Sequence, residues 1–449
     1  MGAGKSTIGQ EVAGLSGRPF VDLDREIERR HGPVAELFER GEPEFRRIEE
    51  ELAAEVLALS TPAVIAFGGG AVLSEHTREL LLNDAFTVLV EVEVGDAWER
   101  VRESGRPLAR DEGQFRRLFD ERQPLYEEVS SGSADHAEDV LLEALQIDVW
   151  RGVLAELGSR LGASPESVAV IGDEHVLELH QLRFDPRSVH RVPRGEAAKT
   201  PAILDRLWNE LGLDRSGTIV GYGGGSTTDV AGLAAATYMR GVRWIAVPTT
   251  LLGQVDAAIG GKTALDLTAG KNLVGAFHYP EGVIVDPEVL ATLSEAQRRE
   301  GMAEVVKTGL LADRPLWELE EEAMIRACAA FKAAVCLGDP FDQGRRAILN
   351  LGHTFAHALE AAAGYEGLAH GDAVALGLLA ALRLSGRSTD IVEEVLDPRP
   401  VRVDRDLAWA ALGRDKKRGL VLLGDDGAHW DVSVPADDVR RALNELISP

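Results

Sequence analysis

Short apolar runs alternate with helical stretches along the first 290 residues, and this alternation constrains the fold more than any other feature. A strand that returns through a helix to lie beside the previous one builds a parallel sheet covered by helices. In residues 1–145 the pattern reads as a helix after Lys5, a strand at 20–22, helices to about 60, a strand at 63–67, a glycine turn, a strand at 86–92, a helix to 104, an arginine-rich loop and a helix ending near 126. The polar stretch SSGSADHAED at 130–139 reads as the exit from this region, closed by a short helix at 140–145. A second alternation has strands at 168–171 and 218–220, a helix at 197–211, and a glycine turn leading into a helix from Ser226. After Pro287, Ala-, Leu- and Glu-rich helical patterns run to about 384; residues 420–434 read as two strands around a turn at 425–427, and 436–446 as a closing helix. The expected organisation is an α/β protein in three parts, with parallel-sheet regions at 1–145 and 146–290 and a helical region at 291–449.

With 449 residues and 45% hydrophobic side chains, the chain can bury more than one core. Its formal net charge of -26 argues against nucleic acid as a partner, because a phosphate backbone is bound by displacing counterions with a basic face. An anionic substrate must instead be met by local cationic clusters. Only eight lysines stand against forty arginines, and Lys5, Lys199, Lys262, Lys271, Lys307, Lys332, Lys416 and Lys417 fall almost entirely within the motifs below. Cys328 and Cys336 fit neither a disulfide framework nor a thiolate metal site. No charged-then-apolar leader is read, and the apolar run around residues 376–382 is too short for a bilayer. The expectation is a reduced, cytoplasmic protein with no membrane partner.

The chain begins MGAGKST. Gly2, Ala3, Gly4, Lys5, Ser6 and Thr7 have the composition of a phosphate-binding loop, in which backbone N–H groups wrap phosphate, the lysine neutralises it and the hydroxyl holds Mg²⁺. The strand and first glycine that normally precede such a loop would lie before Met1. A central parallel strand is buried on both faces, so its loss would leave unpaired backbone on two neighbours. Either the polypeptide starts upstream or this region is impaired as a catalyst, and the first is the expectation. Downstream come VDLD (Asp22, Asp24), EFRRIE (Arg46), FGGG (Gly68, Gly69, Gly70), GRPL (Arg106) and ERQPLY (Arg122). This series resembles shikimate kinase over about residues 1–130. The resemblance implies a P-loop kinase-like fold that transfers the γ-phosphoryl group of ATP, with Mg²⁺, to a shikimate hydroxyl. It further implies that Asp24 binds the substrate hydroxyls and assists proton removal, that Arg46 and Arg122 clamp the carboxylate, that Gly68 to Gly70 lie against the ring, and that Arg106 reaches the nucleotide from a lid.

GYGGGSTTD (Gly221 to Asp229) lies between a strand and a helix. It departs from G-x-G-x-x-G, since Ser226 stands where the last glycine should be, yet consecutive glycines still permit close approach of backbone to pyrophosphate. In ILNLGHTFAHALE, His353 and His357 stand four apart on one helical face. Either both bind one metal ion, or one binds while the other does proton chemistry. Glu304 and His370 are further potential ligands, and three N/O ligands with an open position describe a catalytic site.

RGEAAKT, GYGGGSTTDVAG, VPTTLL, QVDAAIGGKT, AGKN, GMAEVVKTG, RAILNLGHTFAHALE, AHGDAVALG and RDKK together resemble 3-dehydroquinate synthase over about residues 165–420. The resemblance implies a dinucleotide-binding α/β domain followed by a helical metal-binding domain. It implies NAD-dependent, metal-assisted cyclisation of 3-deoxy-D-arabino-heptulosonate 7-phosphate to 3-dehydroquinate with release of phosphate. By that likeness Glu304, His353 and His370 are the metal ligands, for Zn²⁺ or Co²⁺, and His357 is the acid/base residue. Lys262, Lys307, Lys332, Arg240, Arg346 and Lys416 surround the substrate, with Asp256, Asn272 and Asn350 as polar partners. Asp173, Glu196, Lys199, Gly224, Gly225, Asp229, Thr249, Thr250, Lys262, Lys271 and Thr292 serve the cofactor. Arg240 reaches a partner's active site in the family, implying a homodimer. Departures are Ala356, where a glycine is usual between the histidines, the polar run Ser226 to Thr228, and short segments before Val168 and between Gly386 and Arg414; they bear on dimer packing and domain closure.

The chain reads as a fusion of two shikimate-pathway enzymes. The competing readings are a non-catalytic nucleotide-binding scaffold for the first part, and another sugar-phosphate cyclase or a metal-dependent alcohol or glycerol dehydrogenase for the rest.

Overall fold

Four strands of three residues each organise the N-terminal unit of the computed structural model, which describes residues 2–102, 111–365, 367–414 and 419–448. β1 (Phe20–Asp22) pairs in parallel with β2 (Val64–Ala66), and β3 (Val88–Val90) with β4 (Gly132–Ala134). Among the described residues no ladder joins β2 to β3. The helix Glu42–Leu57 shows why this unit holds together. Phe45, Ile48, Leu52 and Val56 recur at helical spacing and pack with Leu23, Ile27 and Leu37 in one buried cluster. The polar stretch 130–139, expected as an exit, instead supplies β4 and the start of the helix Ala137–Ala144. Its short side chains carry no apolar alternation, so parallel pairing with β3 leaves no mark in the pattern.

The chain forms two compact units, Met1–Ala144 and Leu145–Pro449. In the second, six strands form one all-parallel sheet in the order β5 (Ile147–Val149), β12 (Gly282–Val285), β9 (Arg243–Pro248), β8 (Thr218–Gly223), β6 (Val168–Asp173) and β7 (Ser188–Val192). β6 and β8 are buried along their whole length, which is why VAVIGD and TIVGYG lack polar alternation. From β6 the chain proceeds to β7 on one side, and from β8 to β9 on the other. This reversal opens a crevice at the carboxyl ends of β6 and β8, the place where such sheets take ligands.

β10 (Lys262–Leu267) and β11 (Gly270–Phe277) form an antiparallel hairpin, as do β13 (Leu420–Gly424) and β14 (Gly427–Val432). The helices Glu295–Ala312, His353–Ala362 and His370–Leu384 share an apolar core that includes Ala303, Val306, Phe355, Leu359, Ala373 and Leu376. Two of them approach through glycines. Gly352 has φ 78, and a Cβ there would lie 2.8 Å from the Leu378 nitrogen. Ala356, the departure noted in the sequence, is fully buried in this core. No described helix is long and apolar enough to cross a membrane.

Candidate active sites

In the first unit the glycine loop ends at Gly4 (φ 86), and the helix Lys5–Ser16 starts with no side-chain cap. A helix start left uncapped by its own side chains suits an anion, since the first N–H groups lack intrahelical partners. Gly2 is also left-handed (φ 74), and a Cβ there would stand 2.5 Å from the Ala97 oxygen. Ala3 is buried, Lys5 and Ser6 are half-buried and Thr7 is exposed.

A second cluster gathers around FGGG. Asp24 sits at the start of the helix Leu23–His31, whose N-terminus is capped by Asp22. A Cβ on Gly68 would meet Asp24 Oδ1 at 2.5 Å and Glu49 Oε1 at 2.9 Å, while one on Gly70 would collide with the Arg46 guanidinium. The glycines therefore let backbone lie directly against charged groups. The Gly69 carbonyl accepts from Arg122 Nη1 at 3.1 Å and from the Tyr126 hydroxyl at 2.6 Å. Arg122 is buried, and its Nε has no hydrogen-bond partner among the described residues. Arg46 pairs with Glu49 at 2.5 Å and Glu42 at 3.1 Å. Burial pushes the Glu49 carboxyl up, opposed by Arg46. Asp24, Arg46, Gly68 to Gly70 and Arg122 are thus brought together. Glu49 and Tyr126 join them unannounced, although Glu49 stood inside the quoted EFRRIE. Arg106 lies outside the described residues.

In the second unit a cavity of 1410 Å³ occupies the crevice. This exceeds the roughly 300–1,000 Å³ of ordinary ligand pockets and leaves room for more than one small molecule. Asp173, at the end of β6, caps the following helix through the backbone N–H groups of His175 and Val176. Gly224 and Gly225 form the turn after β8; a Cβ on Gly224 would lie 3.1 Å from Thr250. Beside them Lys199 pairs with Asp229 at 2.7 Å and donates to Asn272 at 2.5 Å. Burial pushes Asp229 up to about 6 against the pull of Lys199. Glu196 accepts from Ser226 at 2.9 Å and lies 3.8 Å from Lys271, and Thr292 contacts His180 at 3.0 Å. Asp173, Thr249, Lys271 and Thr292 all line the cavity.

At the other end of the cavity the lining is ionic. Asp256, Lys262, Lys332, Arg346, His353, His357 and His370 all face it. Glu304 and Lys307, one turn apart on the helix Glu295–Ala312, are buried and pair with each other. Lys307 also meets Asp256 at 3.1 Å, and Lys332 pairs with the same Asp256. Burial alone would push the Lys307 ammonium down, but Asp256 and Glu304 hold it above its ordinary value. Lys262 pairs with Asp342 at 2.5 Å. Arg346 donates to Gly260 and Pro340 carbonyls at 2.8 and 3.2 Å.

Glu304 Oε1, buried and without a hydrogen-bond partner among the described residues, faces His353 Nε2 at 3.4 Å and His370 Nε2 at 3.5 Å. Candidate donor atoms of the three residues lie within 4.8 Å of one another. These separations are long for hydrogen bonds and suit three donors arranged around one cation, so the residues fit a divalent ion. Lys307 and His353 hold the Glu304 carboxyl well below the usual range despite its burial. The His357 ring stands edge-on to His353, with centroids 5.6 Å apart. Arg240 and Asn350 do not line the cavity: Arg240 follows Met239 in left-handed backbone, and Asn350 donates to Ala347. Lys416 lies outside the described residues. Sequence reasoning missed Asp342 and Glu360; the latter accepts from His370 Nδ1 at 3.1 Å.

Known proteins share both halves. The family model of shikimate kinase matches residues 1–146, and those of the 3-dehydroquinate synthase N-terminal and C-terminal regions match 189–300 and 301–398. The bifunctional shikimate kinase/3-dehydroquinate synthase of Thermotoga maritima is 35% identical over 408 residues, covering 84% of this chain and 82% of the relative. Among solved structures, 2-deoxy-scyllo-inosose synthase complexed with carbaglucose-6-phosphate, NAD⁺ and Co²⁺ is similar at a TM-score of 0.59 and 26% identity, over 67% of this chain and 96% of that one. The 2-epi-5-epi-valiolone synthase of Streptomyces hygroscopicus, with NAD⁺ and Zn²⁺ bound, reaches 0.58 at 26% identity with the same coverage. The chain belongs to the bifunctional shikimate kinase/3-dehydroquinate synthase family.

Proposed function

We propose that residues 146–449 convert 3-deoxy-D-arabino-heptulosonate 7-phosphate to 3-dehydroquinate and phosphate, within a cofactor-binding part to about 290 and a helical part beyond. The observation that carries this reading is the convergence of Glu304, His353 and His370, the two histidines lining the same cavity as the glycine turn and Glu304 buried beside them. Those three would hold a divalent ion, Zn²⁺ or Co²⁺, and Glu196, Lys199, Gly224, Gly225, Asp229, Thr249 and Thr250, with Asp173, Lys271 and Thr292, would hold NAD. When bound, the ion polarises substrate oxygens and the nicotinamide accepts and returns a hydride. Lys262, Lys332 and Arg346 supply the positive charge that a substrate with phosphate and carboxylate needs in so acidic a chain. Lys307 and Asp256 hold one another in place beneath it, with Asn272 as a polar partner, and Lys416 adds a cation. His357, beside His353, exchanges protons with the substrate. A dehydrogenase would accumulate NADH, whereas this reaction releases phosphate with none; net NADH turnover on the sugar phosphate would overturn the reading.

Residues 1–145 act as shikimate kinase, with Lys5 and Ser6 on the ATP phosphates and Mg²⁺, Arg106 on the nucleotide, and Asp24, Arg46, Gly68 to Gly70 and Arg122 on shikimate. The supporting feature is the pairing of guanidinium groups and a carboxylate around glycines that expose backbone. Coupled measurement of ADP with shikimate as acceptor tests it; ATP binding without turnover would favour a scaffold. A cytoplasmic homodimer, with Arg240 serving the partner's site, completes the proposal, and sedimentation of the protein as a monomer would contradict it.

A further inference from the structure

We infer that Glu360 is the positioning residue that aims His370 at the divalent-ion site, an inference that rests on the ion-binding reading above. The two imidazoles of that site are oriented by different means. His353 engages the Leu351 carbonyl through Nδ1 at 3.2 Å and turns Nε2 toward Glu304. His370 turns Nε2 toward the same Glu304 oxygen, but its Nδ1 lies 3.1 Å from Glu360 Oε1. An ionised carboxylate only accepts, so the Nδ1 proton points at Glu360, and a divalent ion held by Glu304 and His370 would meet the Nε2 lone pair. One ligand is thus oriented by backbone, the other by a side chain.

The geometry explains why His370 needs this support. It is the first residue of the helix His370–Leu384, whose start has no side-chain cap, and its side chain is 32% exposed. As the first residue of its helix, His370 has no preceding helical turn for its ring to lie on. Glu360 is 6% exposed and lies seven residues after His353 on the preceding helix, so two turns bring it back to the same face. Asp372, the nearest other carboxylate in sequence, is engaged by Arg299 at 2.8 Å. A carboxylate behind a ligating histidine fixes its tautomer and raises its basicity.

The test uses the full chain stripped of metal and titrated with Co²⁺, read by visible absorption and by competition with a chelating dye, beside Glu360→Gln and Glu360→Leu. Loss of such an outer partner weakens metal binding by about 10–100-fold. Glu360→Leu should fall in that range with an altered Co²⁺ band. Glu360→Gln keeps an acceptor but not the charge and should weaken binding by about 10-fold. Wild-type affinity and band in Glu360→Leu would overturn the inference, and if that variant does not fold, wild-type affinity in Glu360→Gln overturns it alone. Failure of the unsubstituted chain to take up Co²⁺ would instead overturn the ion-binding reading, and this inference with it.

Discussion

The two units hold their charged side chains in different ways. In the first, Arg46 is paired to Glu42 and Glu49, four and three residues away on its own helix. In the second, Asp256 is paired to Lys307 and Lys332, 51 and 76 residues away, in the buried floor of the cavity. Local pairs form as soon as a helix forms and can be released to a ligand at little cost. Distant buried pairs form only when the whole fold does, so the geometry of the second site cannot be separated from stability.

The largest effect expected from this contrast comes from withdrawing the ion. Dialysis against dipicolinate, or Glu304→Gln, should lower phosphate release from the heptulosonate phosphate on the order of 1000-fold, since a Lewis acid supplies several kcal/mol of transition-state stabilisation. Shikimate kinase turnover in the same sample should be unchanged; parallel loss of both would break the separation drawn here. Next comes Lys307→Met, which takes from Glu304 its buried ammonium and leaves Asp256 with Lys332 alone. It should destabilise the second unit by about 3–5 kcal/mol in urea unfolding, with no shift in the transition of the first. A variant as stable as the parent would show that the buried pairs do not hold the fold.

Arg122→Lys addresses the first unit. Replacing a bidentate fork by a point charge removes about one charge-assisted hydrogen bond, so the KM for shikimate should rise on the order of 10-fold. Unaltered KM would take Arg122 out of the site. The smallest effect concerns pH. Burial pushes the Asp229 carboxyl up from its ordinary 3.8 to about 6, opposed by Lys199. The folded state therefore holds this proton more tightly, and the stability the group contributes is full below pH 4 and lost as pH rises through 6. Relative to the parent, Asp229→Asn should gain stability between pH 4 and 6.5, as measured by denaturant midpoints; a constant difference would mean that Lys199 compensates the carboxylate fully.

Sequence and structure agree at several local features. The turn at Gly224 follows a strand and opens a helix as its composition implies, and the hairpin around 425–427 is present. Even Glu360 was readable in principle, lying two turns from His353 in a motif already singled out. β7, β9 and the β10–β11 hairpin were not read, because SVHRV and RWIAVP show no clean alternation and GKNLVGAF, although it opens on a turn glycine, is largely exposed on both faces. The ionic floor was illegible for a different reason: no spacing rule links Asp256 to Lys332. Lysine scarcity singled out the cations, but only the folded chain assigns each its carboxylate.

Along that floor Glu304, Lys307, Asp256 and Lys332 alternate in sign, each touching the next. Deleting Asp256 strands Lys332, and deleting Lys307 strands Glu304, in a medium too poor in water to solvate them. A variant lineage could cross this terrain only by exchanging adjacent members together, so the quartet behaves as a single heritable unit although its members are scattered over three segments of the chain.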